Sequence, residues 1–318
     1  MIVEQRRVMS TLDKIEELQG LIKEDSTNFQ ARRELAVLLM DCGFNEEALQ
    51  HLLYLSKMFS YDDGMYYNLG IVYEKMKKFQ KAKEAYEKAV ELEPEVMDAV
   101  YNLGLVYTEL KEYDKAIECF EQVISSDVED SNSYFNIGLV YFKKNDFIQA
   151  VDYFQKTIDL NDEDIYAHFY IGNIFKEFGD TESAKEKFEK VISLSPDYSW
   201  AYYNLAVIYY EEGNLDKAEE NLRKTVELNK MDEEAYKILV KILMKKEDYV
   251  SANDYAMKQI ELCGETGDAY YILAQINKNL NVEEDYIAYL EEAIKNFKTL
   301  SLPLQKVKDE LYYLKYQG

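Results

Sequence analysis

Apolar residues recur along the chain at helical spacing, and the pattern itself recurs. In the segment 63–96, two sets of apolar or small side chains stand three and four residues apart: Tyr66, Leu69, Gly70 and Tyr73, then Ala82, Tyr86 and Ala89. Such spacing places each set on one face of a helix. The stretch 77–80 predicts a short polar turn between them, and Pro94 ends the second helix because proline is excluded from helix interiors. The segment therefore predicts a pair of helices.

One phrase of residues returns at multiples of 34 positions. The copies are Tyr66-Tyr67-Asn68-Leu69-Gly70, Val100-Tyr101-Asn102-Leu103-Gly104, Tyr134-Phe135-Asn136-Ile137-Gly138 and Tyr202-Tyr203-Asn204-Leu205-Ala206. A fixed period of this size indicates a stack of supersecondary units and not one globular core. We expect the small residues Gly70 and Ala82 to let the two helices of a unit approach closely. Tyr73 and Tyr86 are expected to fill the space between neighbouring units, which predicts that Gly104→Leu would force units 97–130 and 131–164 apart.

The order of aromatic, Leu-Gly, Tyr, then Ala, aromatic, Ala and Pro in 63–96 resembles the tetratricopeptide repeat family. The resemblance implies an all-α fold, a right-handed α-solenoid superhelix of about eight helix pairs. The same frame predicts eight repeats, numbered one to eight here: 29–62, 63–96, 97–130, 131–164, 165–198, 199–232, 233–266 and 267–300. The pattern weakens toward the ends, where Arg32, Ala256 and Tyr286 replace the expected residue types.

Both ends of the chain predict capping helices, over 1–28 and 301–318. After Ser10, a helical pattern follows through Leu12, Ile15, Leu18 and Ile22. The second cap begins at Ser301-Leu302-Pro303 and has one apolar face, formed by Leu304, Val307, Leu311 and Leu314. Its other side is predicted to face solvent, as a solenoid end requires, with Lys306, Asp309, Glu310 and Lys315.

The net charge and the cysteine usage limit which kinds of partner and which compartment the sequence predicts. The 318 residues include 37 Lys and Arg against 61 Asp and Glu, a formal net charge of −24. Such a chain repels phosphate backbones and anionic membrane surfaces, so neither nucleic acid nor membrane insertion is expected. The scattered Cys42, Cys119 and Cys263 form no disulfide framework or metal cluster, which fits a reduced compartment. Without a signal-like start or a long apolar run, we expect a cytoplasmic protein; its oligomeric state stays open.

The sequence offers little for catalysis. Its two histidines, His51 and His168, are far apart in the repeat register, and His168 takes the aromatic packing position of repeat five. No third residue completes a nucleophile and base set, and no glycine-rich phosphate loop occurs. We therefore expect no enzyme activity, no cofactor and no metal site.

The family resemblance implies that the first helix of each repeat lines a concave groove. Ten residues there are candidates for peptide binding: Tyr67, Asn68, Tyr101, Asn102, Phe135, Asn136, Tyr203, Asn204, Lys237 and Lys241. An asparagine amide offers a donor and an acceptor and can pair bidentately with a peptide backbone, and aromatics add apolar area. Asparagines repeated at this position form a row, called here the asparagine ladder. This row resembles the one that lines the groove of O-linked N-acetylglucosamine transferases, although nothing in the chain resembles their catalytic half. Alternatively, the asparagines satisfy local hydrogen bonds.

Two features modify this interpretation. Tyr170 interrupts the asparagine ladder before Asn204, so repeats two to four are the strongest part of the site. In repeat seven, Lys237, Lys241 and Lys245 stand four apart on one face and could receive an acidic segment. The favoured alternative is that they balance Glu233, Glu234 and neighbouring acidic helix ends.

The predicted function is a non-catalytic adaptor that holds a protein or peptide in its groove. Chaperone C-terminus binding is not expected, since Tyr67, Tyr101 and Phe135 occupy the family's key lysine position. Two rivals remain open: a scaffold that uses convex faces or self-association through a terminal helix, and a targeting subunit of a separately encoded enzyme.

Overall fold

A computed structural model describes residues 2–316, with side chains from residue 11 onward. Within this range the chain forms helices and no strands, an all-α solenoid of helix pairs. The helices are α1 (Ile2–Glu24), α2 (Phe29–Asp41), α3 (Asn45–Met58), α4 (Asp63–Lys75), α5 (Phe79–Leu92), α6 (Met97–Glu109), α7 (Tyr113–Ser126), α8 (Ser131–Lys143), α9 (Phe147–Leu160), α10 (Ile165–Glu177), α11 (Thr181–Leu194), α12 (Ser199–Glu211), α13 (Leu215–Leu228), α14 (Glu233–Lys245), α15 (Tyr249–Cys263), α16 (Gly267–Asn279), α17 (Glu283–Lys295) and α18 (Leu304–Tyr316). A short 3₁₀ helix, Phe297–Thr299, precedes α18.

Side-chain caps explain where most first helices begin. The residue before α4, α8, α10 and α14 is an aspartate whose carboxylate accepts a hydrogen bond from the backbone N–H three residues later, over 2.8–3.1 Å: Asp62, Asp130, Asp164 and Asp232. Such a cap satisfies an N–H that has no partner within the helix. The positions before α6 and α12 hold Val96 and Tyr198, which form no side-chain cap. Those two helices therefore rely on packing for their start.

The turn within each pair uses the left-handed backbone region at one repeated position. Eight residues spaced 34 apart have φ between 55° and 82°: Gly43, Lys77, Lys111, Asn145, Gly179, Gly213, Glu247 and Asn281. This conformation ends a helix tightly but is costly for residues with a Cβ atom. Three of the eight are glycine, and the other five bear the strain.

Two compact units divide the chain, residues 1–162 and 163–318, called here the N-terminal half and the C-terminal half. In the N-terminal half, the largest fully buried side chains include Tyr86, Phe120 and Phe154 on second helices. In the C-terminal half, one cluster extends from Ala184 to Ile276, and a smaller one joins α16, α17 and α18 around Leu290 and Val307. In each half the buried clusters thus form where helix pairs meet.

Glycines on first helices make room for aromatic rings on second helices. A Cβ atom at Gly104 would lie 2.8 Å from Phe120, and one at Gly138 would lie 2.7 Å from Phe154. Gly70 with Tyr86 and Gly172 with Phe188 repeat the arrangement. This corrects the expectation for Gly104: its tight contact lies within its own repeat, between α6 and α7, and not between repeats three and four.

Where the second-helix residue is smaller, the first-helix residue is larger. The buried combinations at the same two positions are Ala36 and Leu52, Ala206 and Leu222, Val240 and Ala256, and Ala274 and Leu290. Ala256, which departs from the family pattern, is thus matched by valine where other repeats have glycine or alanine. Such an exchange of size between facing positions helps to fill a densely packed interior.

The terminal helices pack as caps, with two corrections. Helix α1 begins at Ile2, before the predicted start at Ser10. Its Ile15 and Leu18 are buried as expected, while Leu12 is exposed. At the other end, Val307 of α18 is buried.

Glu310, predicted to face solvent, instead accepts hydrogen bonds from Tyr271 (3.2 Å), Gln275 (2.9 Å) and Tyr286. Burial would raise the pKa of this carboxyl, but the three hydrogen bonds lower it below its usual value. Tyr286, the residue of repeat eight that departs from the family pattern, is therefore part of the surface that holds the terminal helix.

Candidate peptide-binding site

The predicted aromatic row is held in place by the core of the N-terminal half. Tyr67, Tyr101 and Phe135 stand at the fifth position of α4, α6 and α8 and are half-buried. Each ring packs against the core ring of its own repeat, with centroids 5.9, 5.6 and 5.5 Å from Tyr86, Phe120 and Phe154. These separations suit favourable aromatic pairs. The row therefore offers partly exposed rings whose positions are fixed.

The next two asparagines hydrogen-bond to this row across repeats. Nδ2 of Asn102 donates to the Tyr67 hydroxyl over 3.2 Å, and Nδ2 of Asn136 donates to the Tyr101 hydroxyl over 2.8 Å. Nδ2 of Asn136 also donates to the backbone carbonyl of Asn132 over 2.9 Å. Each tyrosine contact joins residues 35 apart. Asn102 and Asn136 therefore do form hydrogen bonds within the protein, as the alternative interpretation expects.

These bonds leave the amide oxygens open. In residues 11–316, Oδ1 of Asn102 and Oδ1 of Asn136 accept no hydrogen bond, and the amide of Asn68 has no hydrogen-bond partner. Both N–H groups of Asn136 already have acceptors, so its oxygen is the atom of the amide that stays available to a peptide. What remains is a row of oriented acceptors beside the aromatic rings.

The tyrosine hydroxyls stay protonated at neutral pH and add donors. Burial, helped by the Asp98 carboxylate, raises the pKa of Tyr67, although the bond from Asn102 opposes the shift. Burial likewise raises the pKa of Tyr101. Each hydroxyl accepts from an asparagine and keeps its own proton for another acceptor.

Asn204 does not join this set. It is 4% exposed, its Nδ2 donates to the Trp200 carbonyl over 2.8 Å, and its Oδ1 accepts from the Lys176 ammonium. Because its amide is buried and already paired, a peptide could reach it only by replacing these hydrogen bonds. Burial lowers the pKa of Lys176, while the Glu211 and Glu177 carboxylates oppose that shift.

Of the three lysines singled out on α14, one forms ion pairs with carboxylates, and the other two form none in the described part of the chain. The Lys237 ammonium lies 2.9 Å from Glu233 and 2.8 Å from Glu234, so this lysine balances its own helix start as the alternative held. Lys241 and Lys245 are exposed and lie over the ring of Tyr210, at 5.6 and 4.7 Å from its centroid. Lys245 also donates to the Tyr210 hydroxyl over 3.1 Å.

The sequence pattern did not single out two exposed aromatic residues, Trp200 beside Tyr203 and Tyr166 beside Tyr198. Trp200 is 53% exposed, with its ring centroid 6.2 Å from that of Tyr203, and Tyr166 is 52% exposed. Both stand at the second position of their helices, 34 residues apart. The repeat register could have indicated them, since the second helix position lies one turn before the row of aromatic residues at the fifth position, on the same face.

The remaining chemistry candidates are structural. His168 is buried as expected for a packing residue. Nδ1 of His51 lies 3.1 Å from the guanidinium of Arg32, and burial together with that charge lowers its pKa. Burial raises the pKa of the Cys119 thiol to about 12. In the described part of the chain, no group of His, Cys, Asp and Glu has metal-site geometry, and no helix is long and apolar enough to cross a bilayer.

Comparison with known families matches this architecture to the tetratricopeptide repeat. Three models of that family match residues 65–96, 95–163 and 175–243. The chain belongs to the tetratricopeptide repeat family. Its class is that of a protein-interaction scaffold, and repeats of this family are generally non-catalytic.

Solved structures show the same fold. MamA from Desulfovibrio magneticus RS-1 is 26% identical, with 54% of this chain and 97% of MamA aligned at a TM-score of 0.51. A tetratricopeptide repeat protein from Parabacteroides merdae is 14% identical, covering 80% and 98% at 0.53. Pseudomonas aeruginosa pilF is 18% identical, covering 68% and 98% at 0.53. No curated protein sequence matches the chain.

Proposed function

We propose that this scaffold binds an extended peptide segment of a partner protein along α4, α6 and α8. The observation that carries the proposal is the orientation of the asparagine amides. Asn102 and Asn136 are held through their nitrogen by a tyrosine of the preceding repeat, so their oxygen is the group left to accept a peptide N–H. Tyr67, Tyr101 and Phe135 supply adjacent apolar area at low entropic cost.

The mode of binding is main-chain recognition with side-chain contacts from the aromatic row. Acceptors repeated at one register position read the peptide backbone and not its sequence. Specificity then comes from the apolar surface, where partly buried aromatic anchors contribute most of the binding energy.

The test is selection of peptides from a random library on the full chain, followed by affinity measurement with variants. Replacing Asn68, Asn102 and Asn136 by alanine is expected to weaken binding by roughly fivefold for each lost hydrogen bond. Tyr67→Phe with Tyr101→Phe is the companion variant: it keeps the asparagine oxygens but removes the bonds that orient them and two hydroxyl donors, so it should lose only part of the affinity. Equal affinity of the wild type and the triple alanine variant would refute the proposal.

A second candidate is a scaffold that associates through α18. Tyr312, Tyr313 and Tyr316 are 57%, 60% and 71% exposed on this last helix. Large exposed aromatic side chains grouped together mark interaction surfaces. Serine at all three positions would then shift the sedimentation coefficient toward that of the monomer, while an unchanged coefficient would count against this candidate.

A further inference from the structure

We infer that α12 and α14 form a second binding site, which takes an acidic segment of a partner protein on Lys241, Lys245 and Tyr210. This inference rests on the chain being an interaction scaffold and does not need the asparagine ladder. It differs from the proposed peptide site in place, in charge and in the residues that carry it.

The first support is that no carboxylate of the described residues pairs with either Lys241 or Lys245. In the described chain neither forms an ion pair, whereas the adjacent Lys237 pairs with Glu233 and Glu234. The next lysine along, Lys246, likewise has carboxylates at 2.6 and 2.7 Å. In a chain of net charge −24, two neighbouring lysines without carboxylates are a local excess of positive charge.

The second support is their convergence on one hydroxyl. Both ammonium groups lie over the Tyr210 ring, and Lys245 donates to its oxygen. The pKa of Tyr210 is lowered by the bond from Lys245 and by Lys241, against the opposing effect of burial. Glu211 is adjacent to Tyr210 on α12, and Glu233 and Glu234 at the start of α14 share the single charge of Lys237. Since none of these carboxylates forms an ion pair with Lys241 or Lys245, both ammonium groups can still pair with an incoming anion.

The third support is spacing. Lysines four apart on a helix are separated by about 6 Å along its axis. Acidic side chains on alternate residues of an extended peptide are about 6.6 Å apart. An extended segment with acids at alternate positions therefore matches the lysine pair.

The fourth support is an apolar stripe on the same helix as Tyr210. Tyr203 stands seven residues before Tyr210, two turns away on the same face. Trp200 lies one turn further and is half-exposed, with its ring beside Tyr203. Apolar residues that precede the acidic run in the partner would contact this stripe.

The experiment uses the full chain and its single tryptophan, Trp200. The probe is the blocked peptide FSFSESESE, and its neutral twin is FSFSQSQSQ; neither contains tryptophan. Trp200 fluorescence and titration calorimetry both measure binding. We expect the acidic probe to bind the wild type, the neutral twin to bind about tenfold more weakly, and the difference to shrink as salt screens the charges.

Lys241→Gln combined with Lys245→Gln is expected to reduce affinity for the acidic probe by about tenfold and to leave the neutral twin unaffected. Lys306→Gln combined with Lys308→Gln is the control, since these exposed α18 lysines give the same change in net charge. Equal binding of the two probes by the wild type, or full affinity in the Lys241 and Lys245 variant, would overturn the inference.

The two proposals fail separately. Asn102→Ala with Asn136→Ala leaves the acidic site intact, so it should retain affinity for FSFSESESE. If library peptides depend on the asparagines but the acidic probe binds no better than its twin, the inference is wrong and the proposed function stands. Dependence of the acidic probe on the asparagines would place it on α4, α6 and α8 and overturn the second site.

Discussion

The surfaces of α4, α6 and α8 and of α12 and α14 use one geometric device with different chemistry. In both, a tyrosine contacts a side chain 35 residues later. Asn102 and Asn136 donate to Tyr67 and Tyr101, and Lys245 donates to Tyr210. An amide ties one repeat to the next without adding charge, whereas an ammonium group makes the same contact and leaves a charge at the surface. The same separation of 35 residues, used at two different positions of the first helices, thus joins neighbouring repeats in both regions and adds a charge in the second.

The cores beneath the two surfaces differ in a related way. Under α6, glycine faces an aromatic ring, Gly104 against Phe120. Under α12 and α14 the volume moves to the first helix, with Ala206 above Leu222 and Val240 above Ala256. A smaller residue on the second helix is thus accompanied by a larger one on the first helix.

Gly104→Leu breaks the first kind of core most severely. The new side chain would collide with Phe120, since even a Cβ atom lies 2.8 Å from the ring. We expect a loss of about 3 kcal/mol in the free energy of unfolding. Urea unfolding followed by circular dichroism measures it, and an unchanged midpoint would contradict the register.

The complementary volumes can be tested by converting one core into the other. Gly104→Ala alone and Phe120→Leu alone should each cost about 1 to 2 kcal/mol, by overpacking and by a cavity. Together they recreate the combination of Ala206 and Leu222. The double variant should therefore lose less than the sum of the single losses, and simple additivity would show that the two positions are independent.

Substituting Glu310 tests how much its carboxylate contributes to holding α18 against α16 and α17 in the C-terminal half. Its carboxylate accepts from three side chains of α16 and α17, and hydrogen bonds to charged groups contribute more than neutral ones. Glu310→Gln is expected to cost about 2 kcal/mol at neutral pH. The thermal midpoints of variant and wild type provide the measurement.

The pH dependence of that loss follows from the sign of the shift. The folded-state pKa of Glu310 is lower than its usual value of 4.5, so its contribution is complete above that pH and is lost as the pH falls through the folded value. The stability gap between wild type and Glu310→Gln should narrow below about pH 4.5. A gap that stays constant into acid would show that the carboxylate charge does not matter.

The sequence predicts the all-α solenoid of helix pairs because its signals are local. Helical spacing, Pro94 and the 34-residue period act over a few turns. The hydrogen-bond partners of Asn204 and Glu310 could not be predicted from the sequence, because folding alone brings them close: Lys176 is 28 residues from Asn204, and Tyr271 is 39 residues from Glu310. Register places a residue on a face, but it does not say which neighbour already occupies its polar atoms.

Tyr101→Phe measures how much the uncharged hydrogen bond between Asn136 and Tyr101 contributes to the free energy of unfolding. The ring keeps its contact with Phe120, but Asn136 loses its 2.8 Å acceptor. We expect a loss of about 1 kcal/mol in urea unfolding. Tyr210→Phe should cost less, because Lys245 is exposed and exchanges its bond for water. Equal losses would remove the energetic difference between the two surfaces.

The smallest effect is expected at the turn position that the two regions share. Lys111 after α6 and Gly213 after α12 both have positive φ, 62° and 79°. Lys111→Gly removes the Cβ strain but gives the unfolded chain more freedom, so we expect a gain of about 0.5 kcal/mol. Gly213→Lys should cost about 1 kcal/mol, since it introduces the strain that Lys111 tolerates. Thermal unfolding of both variants decides the matter: if neither midpoint moves, the turns are too loosely held for their backbone conformation to count in either region.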